Sequence, residues 1–371
     1  MNARDQDLNR TGDLAGSLPP ALEARLSLPR RRRSGPEGEI VTYRLDSPYA
    51  CTDEIRVALP VTFTPYASTR PCSARCVFCS ENLRKQDAGV HSSRLRPSDS
   101  YFSELSHALA ALRGLPMGIS LSGLEMTDDP AWFQRLLEVL QYHERDRQPF
   151  TEKVLYTNGA GLGSGSQRAP LLASISRFGV ERIEWSRHSH RQAQNDRIMR
   201  FRPEARVAEN SCFERSVRAV QETTPVTLVC LLQRDGICSA SDLLEYLQWA
   251  ENLGVGRVVF REFSQLDESY VLNGTARVLA RNRVSAETVA RELLSDAQYR
   301  ECLMPLESSE GYYFWNIRFL WRERLEVVLE ASSYRRMNAL HASDVIYKLV
   351  FHANGRLTGD WSPNERILLG A

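Results

Sequence analysis

The sequence predicts an α/β fold built on a parallel sheet, and two observations carry that expectation. Between about residues 54 and 266, runs rich in β-branched residues alternate with stretches of helical period, giving six strand-then-helix units. Each strand run is also nearly all apolar, as expected of strands buried on both faces. A six-stranded partial (β/α) barrel and an open doubly wound sheet both satisfy this pattern. Either architecture puts its chemistry at the C-terminal strand ends, where the loops gather.

The elements follow in order. Residues 55–64 read as the first strand, and a cysteine-bearing loop follows it. A helix at about 98–113 leads into a strand at 117–122, and a helix at about 130–144 places Leu136, Leu137 and Leu140 at helical spacing. Residues 153–157 are strand, 168–178 helix, 180–186 strand, 203–220 largely helix and 226–232 strand. Ser241 is the expected cap of a helix that buries Leu243, Leu247 and Ala250 and stops at Gly254. Residues 255–263 form the last strand of the series. Beyond about 266 the pattern changes to two helical stretches near 285–303, a hairpin over 312–329 and a second hairpin after 345, where Asn354-Gly355 is a strong turn signal.

The 371 residues carry 47 basic and 46 acidic side chains, so no global field draws nucleic acid or an acidic membrane surface, and nucleic acid is not an expected partner. No apolar run approaches the ~18 residues of a membrane span, no membrane partner is expected, and the default location is cytoplasmic. Residues 1–38 read as a loosely ordered basic lead-in, with Arg30 to Arg33 as a solvated charge run.

Eight cysteines are too few for a disulfide scaffold of this length. Cys72, Cys76 and Cys79 fall within eight residues of one another, spaced C-x3-C-x2-C on the loop after the first strand. Such a cluster indicates metal ligation or redox chemistry. Structural zinc takes four ligands, and Cys51 could supply a fourth only if the chain folded back. A cubane iron–sulfur cluster held by three thiolates leaves one iron open.

This spacing, with Phe78 just before the third cysteine, resembles the signature of the radical S-adenosylmethionine superfamily. The segment Ser122-Gly123-Leu124-Glu125-Met126-Thr127 is similar to that family's Gly-Gly-Glu-Pro-Thr segment, with Leu124 and Met126 departing from it. Tyr156-Thr157-Asn158-Gly159 is similar to a Thr-Asn-Gly found in relatives, to which no catalytic role is assigned. The resemblance covers about residues 55–265. It implies a partial (β/α)6 TIM-like barrel over 39–265 with a C-terminal α+β extension, 266–371, as a lid. It further implies a 4Fe-4S cluster on Cys72, Cys76 and Cys79, and S-adenosyl-L-methionine held by Phe78, Gly123, Glu125, Thr127, Ser186 and Gln233. Arg187 is a weaker candidate beside Ser186.

Three other groups invite a role. His188 and His190 could ligate a metal, although hydrogen bonding suits them better. Arg261, with Glu262 beside it, could clamp a substrate anion or simply form a salt bridge. The segment from Asn195 to Arg200 shows no function. The tail has no clustered cysteines, so a single cluster is expected, and no cobalamin-binding domain precedes the motif. The implied activity is reductive cleavage of S-adenosylmethionine and hydrogen abstraction from a small-molecule substrate, with flavodoxin or ferredoxin as electron donor. The alternatives are a maturase of a peptide or RNA, and a zinc-stabilised binding protein without catalysis.

Overall fold

The parallel block expected from the sequence lies in the middle of one larger hydrogen-bonded sheet. The computed structural model describes residues 17–26, 29–32, 38–83, 95–146, 149–163, 165–266, 268 and 270–370. In chain order the strands are β1 (Arg30–Arg32), β2 (Ile40–Arg44), β3 (Glu54–Tyr66), β4 (Met117–Leu121), β5 (Phe150–Thr157), β6 (Arg182–Ser186), β7 (Val226–Leu232) and β8 (Arg257–Glu262). The tail adds β9 (Leu303–Glu310), β10 (Phe314–Trp321), β11 (Leu325–Ser332), β12 (Val345–His352), β13 (Leu357–Thr358) and β14 (Ile367–Leu369). Across the sheet the order is β1-β9-β10-β11-β8-β7-β6-β5-β4-β3-β12-β13-β14, with β2 paired to β3.

From β3 to β8 the strands lie in sequence order and each neighbouring pair is parallel. Right-handed crossovers between strands in unreversed order fall on one face of the sheet. The doubly wound alternative needs a reversal and is excluded. On the helix side, Leu136 and Leu140 of Pro130–Arg145, Ile175 of Arg168–Phe178, Val217 of Asn210–Gln221 and Leu247 of Ala240–Leu253 share one core with Leu155, Ile183 and Leu228 of the strands.

The tail's strands extend this block on both edges. β11 runs parallel to β8, and β12 runs parallel to β3. On a flat sheet β10 and β12 would stand about 38 Å apart, eight spacings of about 4.8 Å. Yet Tyr312, just before β10, stacks on Tyr347 of β12 with ring centroids 4.9 Å apart. The sheet is therefore strongly curled, while β1 and β14 remain its hydrogen-bonded ends.

Several expectations are corrected. The parallel strands are not apolar on both faces. Opposite the helices, Arg182 pairs with Glu152 at 2.5 Å, Arg261 with Glu330 at 2.7 Å, and Arg257 with Glu326 at 2.9 Å. An apolar composition hid this because one charged residue per turn of the pleat suffices to line a face. Within the lead-in, Pro20–Leu26 is a helix that buries Leu22 and Leu26, and Arg30–Arg32 pair with β9, while Arg33 lies outside the described residues. Ser239, not Ser241, caps Ala240–Leu253 by accepting from the Asp242 N–H. The stretch expected to be largely helical over 203–220 is so, as a 3-10 turn at Arg206–Ala208 followed by the helix Asn210–Gln221.

Candidate active site

The C-terminal ends of the parallel strands open on a cavity of about 1340 Å³. Cys72, Cys76 and Cys79 all line it, together with Gly123, Asn158 and Ser186 from three successive strand ends. The opposite wall comes from the tail and includes Tyr313, Tyr334 and Trp361.

The cysteine loop is held by its backbone. Arg75 N–H donates to Met199 O and Val77 N–H to Ile198 O, both at 3.0 Å, and Arg202 N–H donates to Ser73 O at 2.8 Å. Ser73 N–H donates to Asp128 Oδ2 at 2.7 Å. The stretch around Asn195 to Arg202, uninformative as sequence, is thus the cradle of the loop. Burial, then the charges of Glu125, Asp128 and Cys79, push the Cys72 thiol up to about 12. Burial followed by Cys72 and Cys79 raises Cys76 well above the ordinary thiol range. Three thiols that disfavour one another's ionisation are a donor set that a cation would relieve.

Among the described residues, no three or more His, Cys, Asp or Glu side chains are arranged to hold a metal ion. A single zinc needs its ligands to converge on one point, and Cys51 does not line the cavity. A cubane distributes three thiolates over three irons. The donor chemistry and the shared cavity fit that group.

Glu125 is the hub between β4 and β5. Its Oε1 accepts from Thr127 N–H at 3.2 Å, Thr127 Oγ1 at 2.6 Å and Thr157 Oγ1 at 2.7 Å, and its Oε2 accepts from Asn158 N–H at 2.5 Å. Burial and the charge of Asp128 nevertheless push its carboxyl up to about 7. Thr127 is fully buried and does not line the cavity, so it braces Glu125 from behind. Gly123 has φ 131°, and a Cβ there would stand 3.0 Å from the Tyr66 ring. Gly159 is more constrained still: at φ 82°, its Cβ would fall 1.9 Å from the Trp185 ring. Gly159→Ala is expected to cost about 3–5 kcal/mol, from left-handed strain plus overpacking, measured by urea unfolding.

The next strand ends divide the remaining candidates. Ser186 faces the cavity. Arg187 does not: its guanidinium donates to Val207 O at 3.0 Å and to Ala208 O at 3.3 Å and lies over the Phe213 ring, so it braces the helix layer. His188 lines the cavity and meets Phe78 edge-on at 4.8 Å, while His190 packs against Tyr246 and Trp249, so the two imidazoles share no ligand position. Gln233 is fully buried with both side-chain polar atoms unpartnered, and it does not line the cavity. Arg261 resolves as the salt bridge, to Glu330 at 2.7 Å, and Glu262 pairs with Arg283.

Leu231 N–H donates to His188 Nδ1 at 3.0 Å, which places the ring proton on Nε2. Burial, then the Arg187 charge, lowers its pKa to about 3. The unfolded imidazole therefore binds more protons than the folded one between about pH 3 and 6.5, and stability falls as pH drops through that window. His188→Gln is expected to remove a slope of up to about 1.4 kcal/mol per pH unit from the acid limb, read by urea titrations across pH 4–8.

No protein-family model matches this sequence, and none of the curated proteins matches it. Among solved structures the chain is similar to Streptococcus suis SuiB bound to S-adenosylmethionine, at 12% identity over 84% of this chain and 64% of that one, with a TM-score of 0.48. It is also similar to native anSMEcpe with bound AdoMet and Cp18Cys peptide, at 15% identity over 56% of this chain and 51% of that one, TM-score 0.40. A third is TYW1 with a lysine-pyruvate adduct bound, at 12% identity over 75% of this chain and 79% of that one, TM-score 0.38. The chain thus spans 64% of SuiB, a little under two thirds of its length. No described helix is long and apolar enough to cross a membrane.

Proposed function

We propose that this protein is a radical S-adenosylmethionine enzyme whose core, β3 to β8 with their helices, is a partial (β/α)6 barrel over residues 39–265. The observation that carries the reading is the gathering of Cys72, Cys76 and Cys79, in C-x3-C-x2-C spacing, on one cavity with Gly123 and Ser186 from the parallel strand ends. Cys72, Cys76 and Cys79 would hold a 4Fe-4S cluster, which supplies, when bound, the electron for cleaving S-adenosylmethionine into methionine and a hydrogen-abstracting 5′-deoxyadenosyl group.

The chain's own residues provide the surroundings. Phe78, between His188 and Phe263, sets an apolar ring beside Cys79 on the cavity wall. Gly123 keeps the β4 end open to a ligand, and Ser186 offers a hydroxyl. Glu125 and Thr127 act through the strand ends they fasten. Gln233, fully buried at the end of β7 and outside the cavity lining, is given no ligand contact. The tail, residues 266–371, forms the facing wall and serves as the lid.

About 1340 Å³ exceeds the ~1,000 Å³ upper range of pockets for a single small ligand, leaving room for a substrate beside the cofactor. That substrate is a small molecule or a side chain of a peptide; the same size supports the maturase reading equally. An electron donor such as flavodoxin or ferredoxin, in a cytoplasmic setting, completes the requirement. Anaerobic protein with dithionite and S-adenosylmethionine should yield methionine and 5′-deoxyadenosine in equal amounts. Iron-loaded protein that forms neither, with or without candidate peptides and metabolites, would refute the reading.

A further inference from the structure

We infer that Asn158 tunes the Cys72 thiolate, and with it the reduction potential of the cluster, by donating its Nδ2–H to Cys72 Sγ; this rests on the cluster reading proposed above. Nδ2 lies 3.4 Å from that sulfur, and the Ala74 N–H reaches it at the same distance, 3.4 Å. The orientation of the amide is decided by its other end. Ala160 N–H donates to Asn158 Oδ1 at 2.9 Å, so the oxygen is held toward the following helix and the NH2 group faces the sulfur.

The remaining polar groups of Asn158 are fixed as well. Ser73 Oγ stands 3.1 Å from Nδ2 and 3.3 Å from Oδ1. The main-chain N–H donates to Glu125 Oε2 at 2.5 Å, and the carbonyl accepts from Trp185 Nε1 at 3.0 Å. The next residue is the glycine that the Trp185 ring admits in no other form. A side chain only 9% exposed and held at this many points keeps its donor on the sulfur at no reorganisation cost.

Hydrogen bonds to the sulfurs are among the determinants of an iron–sulfur potential. A donor stabilises the more negative, reduced state over the oxidised one. Asn158 is thus a positioning residue that acts through Cys72 and makes one-electron reduction easier. The Thr-Asn-Gly sequence acquires a physical meaning: Thr157 bonds Glu125, Asn158 bonds Cys72, and Gly159 lies against Trp185.

The test uses the full-length chain, reconstituted anaerobically, as wild type, N158L and N158D. Iron and sulfide are counted, and the midpoint potential is read by redox titration monitored by electron paramagnetic resonance. N158L, which has no donor, is expected to keep its cluster and shift the reduction equilibrium at least about tenfold toward the oxidised state, 59 mV more negative for one electron. N158D keeps an acceptor for Ala160 N–H and sets an anionic oxygen against the sulfur, so its shift should be larger. Loaded variants with the wild-type potential would overturn the inference. So would loss of the cluster from both folded variants, since a tuning donor is dispensable for assembly. Wild-type protein that binds no iron would instead refute the underlying cluster reading.

Discussion

Cys76→Ala is expected to abolish 5′-deoxyadenosine formation and to leave the protein without iron, if the proposed cluster is held as argued above. Cys76 lines the cavity with Cys72 and Cys79, its thiol raised by burial and then by the charges of those two, and two remaining thiolates cannot hold three irons. Loss of a group that merely orients a ligand costs about 10–100-fold in metal affinity, so loss of the ligand itself should exceed about 100-fold. Iron analysis after reconstitution and product chromatography read the two effects separately. Cys238→Ala, at an exposed site outside the cavity, serves as the control and should leave both unchanged. Wild-type cleavage by Cys76→Ala would remove Cys76 from the ligand set.

The second large effect is on stability. Glu125→Leu removes the acceptor for two N–H and two O–H donors at the junction of β4 and β5. Each buried donor left unpaired costs about 1–3 kcal/mol, and breaking a buried network costs about 3–5 kcal/mol in total. Urea unfolding should show a loss in that range; a change under about 1 kcal/mol would mean that water replaces the carboxylate and that the hub is not structural. The pH dependence has its own sign. Because the folded carboxyl titrates at about 7 against an ordinary 4.5, the folded state binds more protons between those values, and wild-type stability falls as pH rises through that window. Glu125→Gln should lack this fall. It runs opposite to the His188 slope, so each is read as the difference between wild type and its own variant.

Much of this arrangement was legible in the sequence. The six strand-helix units were found from periodicity because each crossover helix buries one apolar stripe, which a 3.6-residue pattern records directly. The cysteine spacing stood out because a loop that ligates metal needs those side chains close in sequence. What escaped depends on contacts between distant segments. Nothing local in Asn195 to Arg202 announces that its carbonyls receive the cysteine loop, since backbone groups carry no sequence signature. Arg187 stood as a weaker candidate by its place at a strand end, yet its side chain is turned away from the cavity, where its two terminal nitrogens donate to backbone carbonyls and Asn210. The tail's strands were expected as two hairpins, and β10 with β11 and β12 with β13 form them. Their addition to both edges of the parallel block is set by pairing between strands distant in sequence, Glu326 with Arg257 at one edge and Val345 with Arg56 at the other. Asn158 was visible as turn chemistry, and only its distance to Cys72 gives it another meaning.

The central claim is that three sulfurs of one loop carry a redox-active cluster with a coordination position open to S-adenosylmethionine. Electron paramagnetic resonance of anaerobic, dithionite-reduced protein tests it most directly. The account predicts the signal of a reduced 4Fe-4S cluster whose g values move when S-adenosylmethionine is added. A colourless protein carrying one zinc per chain, or an iron signal indifferent to the sulfonium, would contradict it.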